Sequence, residues 1–206
     1  MESIESLDSV EILYNTKGES LIQSEDDEVQ GVIVTNPDGS ELILNAANGI
    51  ILATGGFSKN MDLVLEYADS EKWRQLDKDT VSTNMNSIQG DGIEMGIEAG
   101  ADLGDMDQMQ FLYLGAPNTG ILSGVYDVSA EIVIFVNQEG ERFVAEDERR
   151  DVISLGVFDQ TDAMMWLINS TDSLDEPENN LNIDGIPMQE LLDIGAYGWV
   201  QDETLE

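Results

Sequence analysis

The sequence predicts a mixed α/β chain. Three observations predict it: short alternating stretches joined by turn residues in the first third, one continuously apolar stretch running into paired glycines, and helical segments bounded by glycine after it. Residues 10–14 alternate apolar and polar side chains and end at Asn15, as one strand. Leu21-Ile22 opens a second, broken by the acidic run 25–28, and residues 29–35 form a third. Asn36-Pro37-Asp38-Gly39-Ser40 is a turn, because proline presets φ and glycine accepts a positive φ, and 41–45 is its hairpin partner. Together these make an antiparallel meander. Residues 49–53 are apolar without alternation, the pattern of a strand covered on both faces, and they end in Thr54-Gly55-Gly56-Phe57. A buried strand that runs into paired glycines is a place where backbone approaches a ligand.

Ser58 or Asn60 caps a helix over 61–67. Residues 68–87 read as loop with one short helical piece. Gly90-Asp91-Gly92 opens a helix that Gly100 closes. Met106 and Met109, in an acidic stretch, read as core filler. Residues 132–137 are an apolar strand, turned by Gln138-Glu139-Gly140-Glu141 and continued by Arg142-Phe143-Val144. A helix over 152–159 and a strand over 163–168 follow, then an acidic loop over 171–182 and the start of a helix at 201–206. No internal repeat is visible.

Composition excludes several chemistries. The 206 residues contain 8 basic and 43 acidic side chains, a net charge of −35, with no cysteine and no histidine. Disulfides, a Cys/His metal site, a thiol nucleophile and a Ser-His-Asp triad are therefore ruled out. A charge of this sign repels a phosphate backbone, so no nucleic-acid partner is expected. No apolar run reaches membrane-spanning length. The hydrophobic share of 41% is enough for a core, so the acidity is expected on the surface. Asn180–Leu191 superficially matches a calcium loop but lacks its acidic first and last ligands, so no metal site is expected. Asn169-Ser170-Thr171 is a glycosylation sequon by pattern only.

Four stretches, in order, resemble the FAD-dependent fumarate and urocanate reductase flavoproteins. They are Ile50-Ile51-Leu52-Ala53-Thr54-Gly55-Gly56-Phe57; Gln89-Gly90-Asp91-Gly92-Ile93 with Glu98-Ala99-Gly100-Ala101; Phe135-Val136-Asn137 with Gly140-Glu141-Arg142-Phe143; and Glu146-Asp147-Glu148-Arg149-Arg150-Asp151-Val152-Ile153-Ser154. Each is weak alone; the order and spacing are specific. The resemblance implies the middle of a Rossmann-like FAD-binding domain over residues 1–106 and part of a substrate-capping (clamp) domain over 107–206. The Gly-x-Gly-x-x-Gly turn that holds the pyrophosphate in such domains does not occur, so the chain reads as an internal fragment of a larger enzyme. The implied reaction is reduction of the C=C bond of a small α,β-unsaturated acid. Its cofactor is FAD in the intact protein, and the missing half of the FAD domain is a possible partner. The implied setting is bacterial and extracytoplasmic or at the cell surface, with a cytoplasmic one as the alternative.

The resemblance also implies roles for single residues. Arg150 falls where the family places the arginine that gives a proton to the substrate carbon while reduced flavin gives hydride. The competing reading is a surface arginine paired to Glu146 or Asp147 by helix spacing. Asp127, with Tyr126 before it, resembles the urocanate-type arrangement in which a carboxylate grips a basic ring; a loop carboxylate is the alternative. Tyr113 lies near the place of the histidine that clamps a fumarate carboxylate, and with no histidine in the chain that clamp is lost. Ala53, Thr54, Gly55 and Gly56 would face FAD. Asp91 matches a position near the ribityl chain, or is simply a helix N-cap. Gly18 resembles the residue whose backbone meets the adenine. Two other classes remain open: a non-catalytic acidic binding module that needs a partner chain, and a flavin-dependent ring (ketosteroid-type) dehydrogenase.

Overall fold

The computed structural model describes residues 7, 9–69, 71–122, 133–169, 181–182, 184–196 and 198–202. It is mixed α/β, with small antiparallel sheets. The chain divides into two compact units, one of residues 1–60 with 87–105, the other of 61–86 with 106–206.

In the first unit, strands β1 (Lys17–Gln23), β2 (Val29–Thr35) and β3 (Glu41–Asn45) form an antiparallel meander in the order β1-β2-β3. The register pairs Leu21 with Val32 and Val32 with Leu44. Gly31 in the central strand is required, since a Cβ there would stand 2.6 Å from the Leu44 carbonyl oxygen. Helix α2 (Asp91–Glu98) packs on β1, and Gln23 Nε2 donates to the Ala99 carbonyl at 3.0 Å. Gly90, at φ 97°, begins this helix and Gly100, at φ 88°, follows its end.

Two expected strands do not form. Residues 10–14 carry no strand and are exposed. Residues 49–53 likewise form no strand: Ile51 is 92% exposed and Leu52 41%. An apolar strand covered on both faces needs strands beside it and layers above and below it, and the described residues supply neither. The second strand also begins earlier than expected, at Lys17, with a register shift between Gly18 and Ser20.

The second unit contains helix α1 (Met61–Tyr67), strands β4 (Val133–Val136) and β5 (Trp166–Asn169), helix α3 (Arg150–Phe158), a 3-10 turn (Thr161–Ala163) and helix α4 (Met188–Asp193). β4 and β5 pair antiparallel, Phe135 opposite Leu167. Its core is Val133, Phe135 and Ile153, with Tyr113, Phe143, Val144, Val157 and Met165 around them. Phe135 and Ile153 are fully buried, each contributing roughly 1.5–3 kcal/mol by burial. Trp73 packs at a tilt against Phe111, with ring centroids 4.2 Å apart, and Phe111 meets Phe158 edge-on at 6.1 Å.

Among the described residues of 68–87 there are turns and no helix, Trp73 N–H donating back to the Asp69 carbonyl. Met106 and Met109 are half-buried rather than core; the buried methionines are Met95 and Met188. Helix α4 was not expected. It starts after Pro187 and buries Met188 and Leu191 against Ile186, Leu192, Ala196 and Trp199. The expected loop over 171–182 and helix start at 201–206 lie largely outside the described residues.

Three turns share one construction. Asn36, Asn137 and Asn182 each open a five-residue loop with glycine fourth. In each, the first residue's N–H donates to the fifth carbonyl (2.9, 3.0 and 2.9 Å), and the glycine N–H donates back to the asparagine carbonyl (2.9, 3.1 and 2.9 Å). Gly39, Gly140 and Gly185 sit at φ 81°, 79° and 75°, which glycine alone adopts without strain. The middle of the stretch with the superficial likeness to a calcium loop is thus a tight turn, bridged by Leu181 and Pro187, and its last residues enter α4.

Candidate functional site

The first unit brings the expected cofactor residues together. Residues 51–56 are exposed, and the N–H groups of Ala53, Thr54, Gly55 and Gly56 enter no hydrogen bond among the described residues. Gly55 sits at φ 80°, and a Cβ at Gly56 would meet nothing within 4 Å. This is a strip of bare backbone donors. Beside it lies the start of α2: a Cβ on Gly92 would collide with the Thr54 side chain, and one on Gly55 would stand 3.1 Å from Ile88 Cδ1. The glycines of both motifs are therefore packing requirements as much as openings toward a ligand.

Asp91 is the first residue of α2 and Gly90 its N-cap, without a side-chain cap bond, so the N-cap reading of Asp91 does not hold. Gly18 and Asp91 line one shallow depression between β1 and α2, with Glu94 and Met95; a Cβ on Gly18 would lie 3.6 Å from Met95 Cε. At the rim Lys17 donates to Glu19 at 2.8 Å, which raises the lysine pKa and lowers that of the glutamate. A bare, donor-rich strip beside a helix start that lacks side-chain cover fits the polar edge of a dinucleotide such as FAD.

The second unit holds the expected catalytic residue. Arg150 is the first residue of α3 and is exposed. It does not pair with Glu146 or Asp147. Glu146 is taken by Arg142 at 2.6 Å, and Arg149 binds Asp151 at 2.9 Å, as does Lys72 at 3.0 Å. Arg74 and Lys78 are paired as well, whereas Arg150 makes no ion pair among the described residues. Its charge is felt at Tyr113. Burial pushes the Tyr113 hydroxyl pKa up, and the charge of Arg150 draws it part of the way back. Tyr113 makes an edge-on contact with Phe135, ring centroids 5.5 Å apart.

The surrounding charges hold this end of α3 in place. Glu146, its side chain 6% exposed, accepts from the Phe135 N–H at 2.9 Å as well as from Arg142. Burial works to raise its pKa, but these donors outweigh burial and hold the carboxyl below its usual range. Hydrogen bonds from Lys72 and then Arg149 lower the Asp151 pKa to about 2. The role of Glu146, a brace from the strand to the loop before α3, was not read from the sequence. Its only trace there is the four-residue spacing from Arg142. Asp127 and Tyr126 lie outside the described residues.

Comparison with known proteins agrees with the motifs. The FAD binding domain family matches residues 1–186. The chain is 37% identical over 148 residues to the NADH:acrylate oxidoreductase of Vibrio harveyi, covering 72% of this chain and 14% of that protein. It is 34% identical over 187 residues to the urocanate reductase of Eggerthella lenta, covering 88% and 30%. It is 31% identical over 163 residues to a cytochrome-type fumarate reductase of Shewanella frigidimarina, covering 78% and 27%. Among solved structures, an open flavocytochrome c3 fumarate reductase superposes with a TM-score of 0.58 at 25% identity, over 74% of this chain and 26% of that one. A 3-ketosteroid-Δ4-(5α)-dehydrogenase from Rhodococcus jostii shares the fold at a TM-score of 0.51 and 24% identity, over 78% and 30%. The chain thus spans from 14% to 30% of the length of these curated relatives. No helix among the described residues is long and apolar enough to cross a membrane. From the match over most of its length, together with the bare glycine strip, the chain belongs to the FAD binding domain family, whose cofactor is FAD.

Proposed function

We propose that this chain forms part of an FAD-dependent oxidoreductase that reduces the C=C bond of a small α,β-unsaturated acid. The observation that carries the reading is Arg150: an exposed cation at the head of α3 whose charge acts on Tyr113, with no ion pair among the described residues while its neighbours Arg142 and Arg149 are engaged. Ala53, Thr54, Gly55, Gly56 and Asp91 would hold FAD, with Gly18 near its adenine end. Bound and reduced, FAD is the source of hydride in this chemistry. Residues 1–106 are assigned to a Rossmann-like FAD-binding domain and 107–206 to a capping domain. In the relatives the matched segment is one part of a longer flavoprotein, so the activity is proposed for a protein of that kind.

Arg150 has two tasks in this reading. Its cation binds the substrate carboxylate and stabilises negative charge as it develops. Its guanidinium also gives a proton to the substrate carbon. Because arginine holds its proton tightly, a relay must replace that proton as it leaves. Tyr113 orients the substrate from the side of the core, and Tyr126 and Asp127 contact the rest of the molecule. With no histidine to clamp a second carboxylate, a monoacid, or an acid carrying a basic or polar ring gripped by Asp127, fits better than a diacid. A binding module docked to a separate chain is less well supported, since the relatives carry the matched segment within one chain.

Arg150→Lys in the complete flavoprotein tests the reading. General acid catalysis contributes roughly 10²–10⁴-fold. Turnover of an unsaturated acid is expected to fall by that order while FAD stays bound. Unchanged turnover would remove the proton-donor role and favour a ring dehydrogenase, which has no need of this arginine.

A further inference from the structure

We propose that Asn48-Gly49 is a site of spontaneous asparagine deamidation and isoaspartate formation, set in the main chain just ahead of the 53–56 strip. Three independent observations carry it. Asn48 and Gly49 are both exposed, in the loop that leaves β3. The Asn48 side-chain amide and the Gly49 N–H have no hydrogen-bond partner among the described residues. Gly49 sits at φ 113°, and a Cβ there would meet nothing within 4 Å, so neither a side chain nor a packed neighbour hinders approach of its nitrogen.

The chemistry needs only water. The Gly49 backbone nitrogen attacks Asn48 Cγ, the N–Cγ bond forms, the Cγ–Nδ2 bond breaks, and ammonia leaves with the proton from the Gly49 N–H. Water then opens the five-membered imide at either carbonyl, giving aspartate or isoaspartate, with no change of oxidation state. The chain's other dipeptides of this kind are protected. The Gly39 and Gly185 N–H groups donate to Asn36 and Asn182, and Gly92 is buried within α2. Those three also follow aspartate, whose carboxylate lacks the amide leaving group.

Isoaspartate at 48 would insert one methylene into the main chain between β3 and the strip of uncommitted N–H groups at 53–56. It would also add a negative charge to a chain already at −35.

The test uses the purified 206-residue chain, incubated in mildly alkaline buffer and followed by peptide mapping and by isoaspartyl-methyltransferase labelling. A synthetic peptide of residues 44–53 in the same buffer serves as the clock. The peptide carrying Asn48 is expected to gain the deamidation mass and the methyl label before those carrying Asn36, Asn137 or Asn182. Asn48→Gln, whose attack would need a larger ring, is expected to lose that label. An intact Asn48 once the synthetic peptide has converted would overturn the proposal, as would a label that persists undiminished in Asn48→Gln.

Discussion

At the head of α3 one arginine differs from its neighbours because they are already satisfied. Lys72 and Arg149 share Asp151, and Arg142 is tied to Glu146, so at this helix end Arg150 is the arginine with no ion pair among the described residues. The sign of the pH effect follows from Asp151. Its folded pKa, about 2, lies below its ordinary 3.8, so the stability it contributes is fully present above the ordinary value and is lost as pH falls toward about 2. Asp151→Asn is therefore expected to lower the melting temperature at neutral pH, and the gap between variant and parent is expected to close over that acid window in thermal melts. Gly92 gives a second prediction. Alanine improves helix propensity by about 1 kcal/mol, but its Cβ would collide with the Thr54 side chain, and overpacking costs about 1–3 kcal/mol. Gly92→Ala is expected to be net destabilising in urea melts, and adding Thr54→Ala, which removes Oγ1 and Cγ2 but leaves Cβ 3.0 Å away, is expected to recover part of the loss, the coupling that a double-mutant cycle reads.

Among elements, the asparagine-opened hairpins show how local chemistry sets geometry. Asn137 is 8% exposed, and its Oδ1 accepts from the Glu139 and Glu141 N–H groups at 3.1 and 2.8 Å. Removing it leaves donors unpaired in a part-buried turn, at a cost of about 1–3 kcal/mol. Asn137→Ala is thus expected to lower the urea midpoint clearly, and Asn36→Ala, in an exposed turn that water can serve, to lower it less. The turns after β2 and β4 were readable in advance, because proline, glycine, aspartate and asparagine act within a few residues; the one at Asn182 was not. The β2–β3 hairpin matched its expected bounds for that reason, and α2 was likewise readable from its bounding glycines. Residues 10–14 and 49–53 were not, since alternation and apolarity describe what a strand would bury and not whether a neighbour is there to pair with it. Helix α4 was missed because Met188-Gln189-Glu190-Leu191-Leu192-Asp193 is too short for periodicity to stand out.

For the whole molecule, charge and core oppose each other. A net charge of −35 repels itself, and salt screens that repulsion within about 10 Å at 0.1 M. Added sodium chloride is expected to raise the melting temperature, which a thermal melt at increasing salt would check; a flat response would mean that the surface charges are already compensated. In the second unit the core is small enough for one residue to matter. Ile153→Ala is expected to cost about 2–5 kcal/mol and to lower the cooperativity of unfolding in calorimetry. The chain lacks a Gly-x-Gly-x-x-Gly pyrophosphate turn, so by itself it is expected to retain FAD substoichiometrically. Flavin absorbance after gel filtration with added FAD would measure this, and one equivalent retained would contradict it.

The sequence by itself determined the family, the β2–β3 hairpin and the start of α2, since each depends on residues close together in the chain: glycines where φ must be positive and turn residues. Only the tertiary structure decided which charges are spent and which are free. Arg142, Arg149 and Arg150 are equivalent as letters. What separates them is which carboxylate each can reach, and that depends on bringing residue 72 to the head of α3 and strand β4 to Glu146. The same holds for Thr54 and Gly92, whose contact no local rule contains, because it exists only once the glycine strip and α2 are folded against each other.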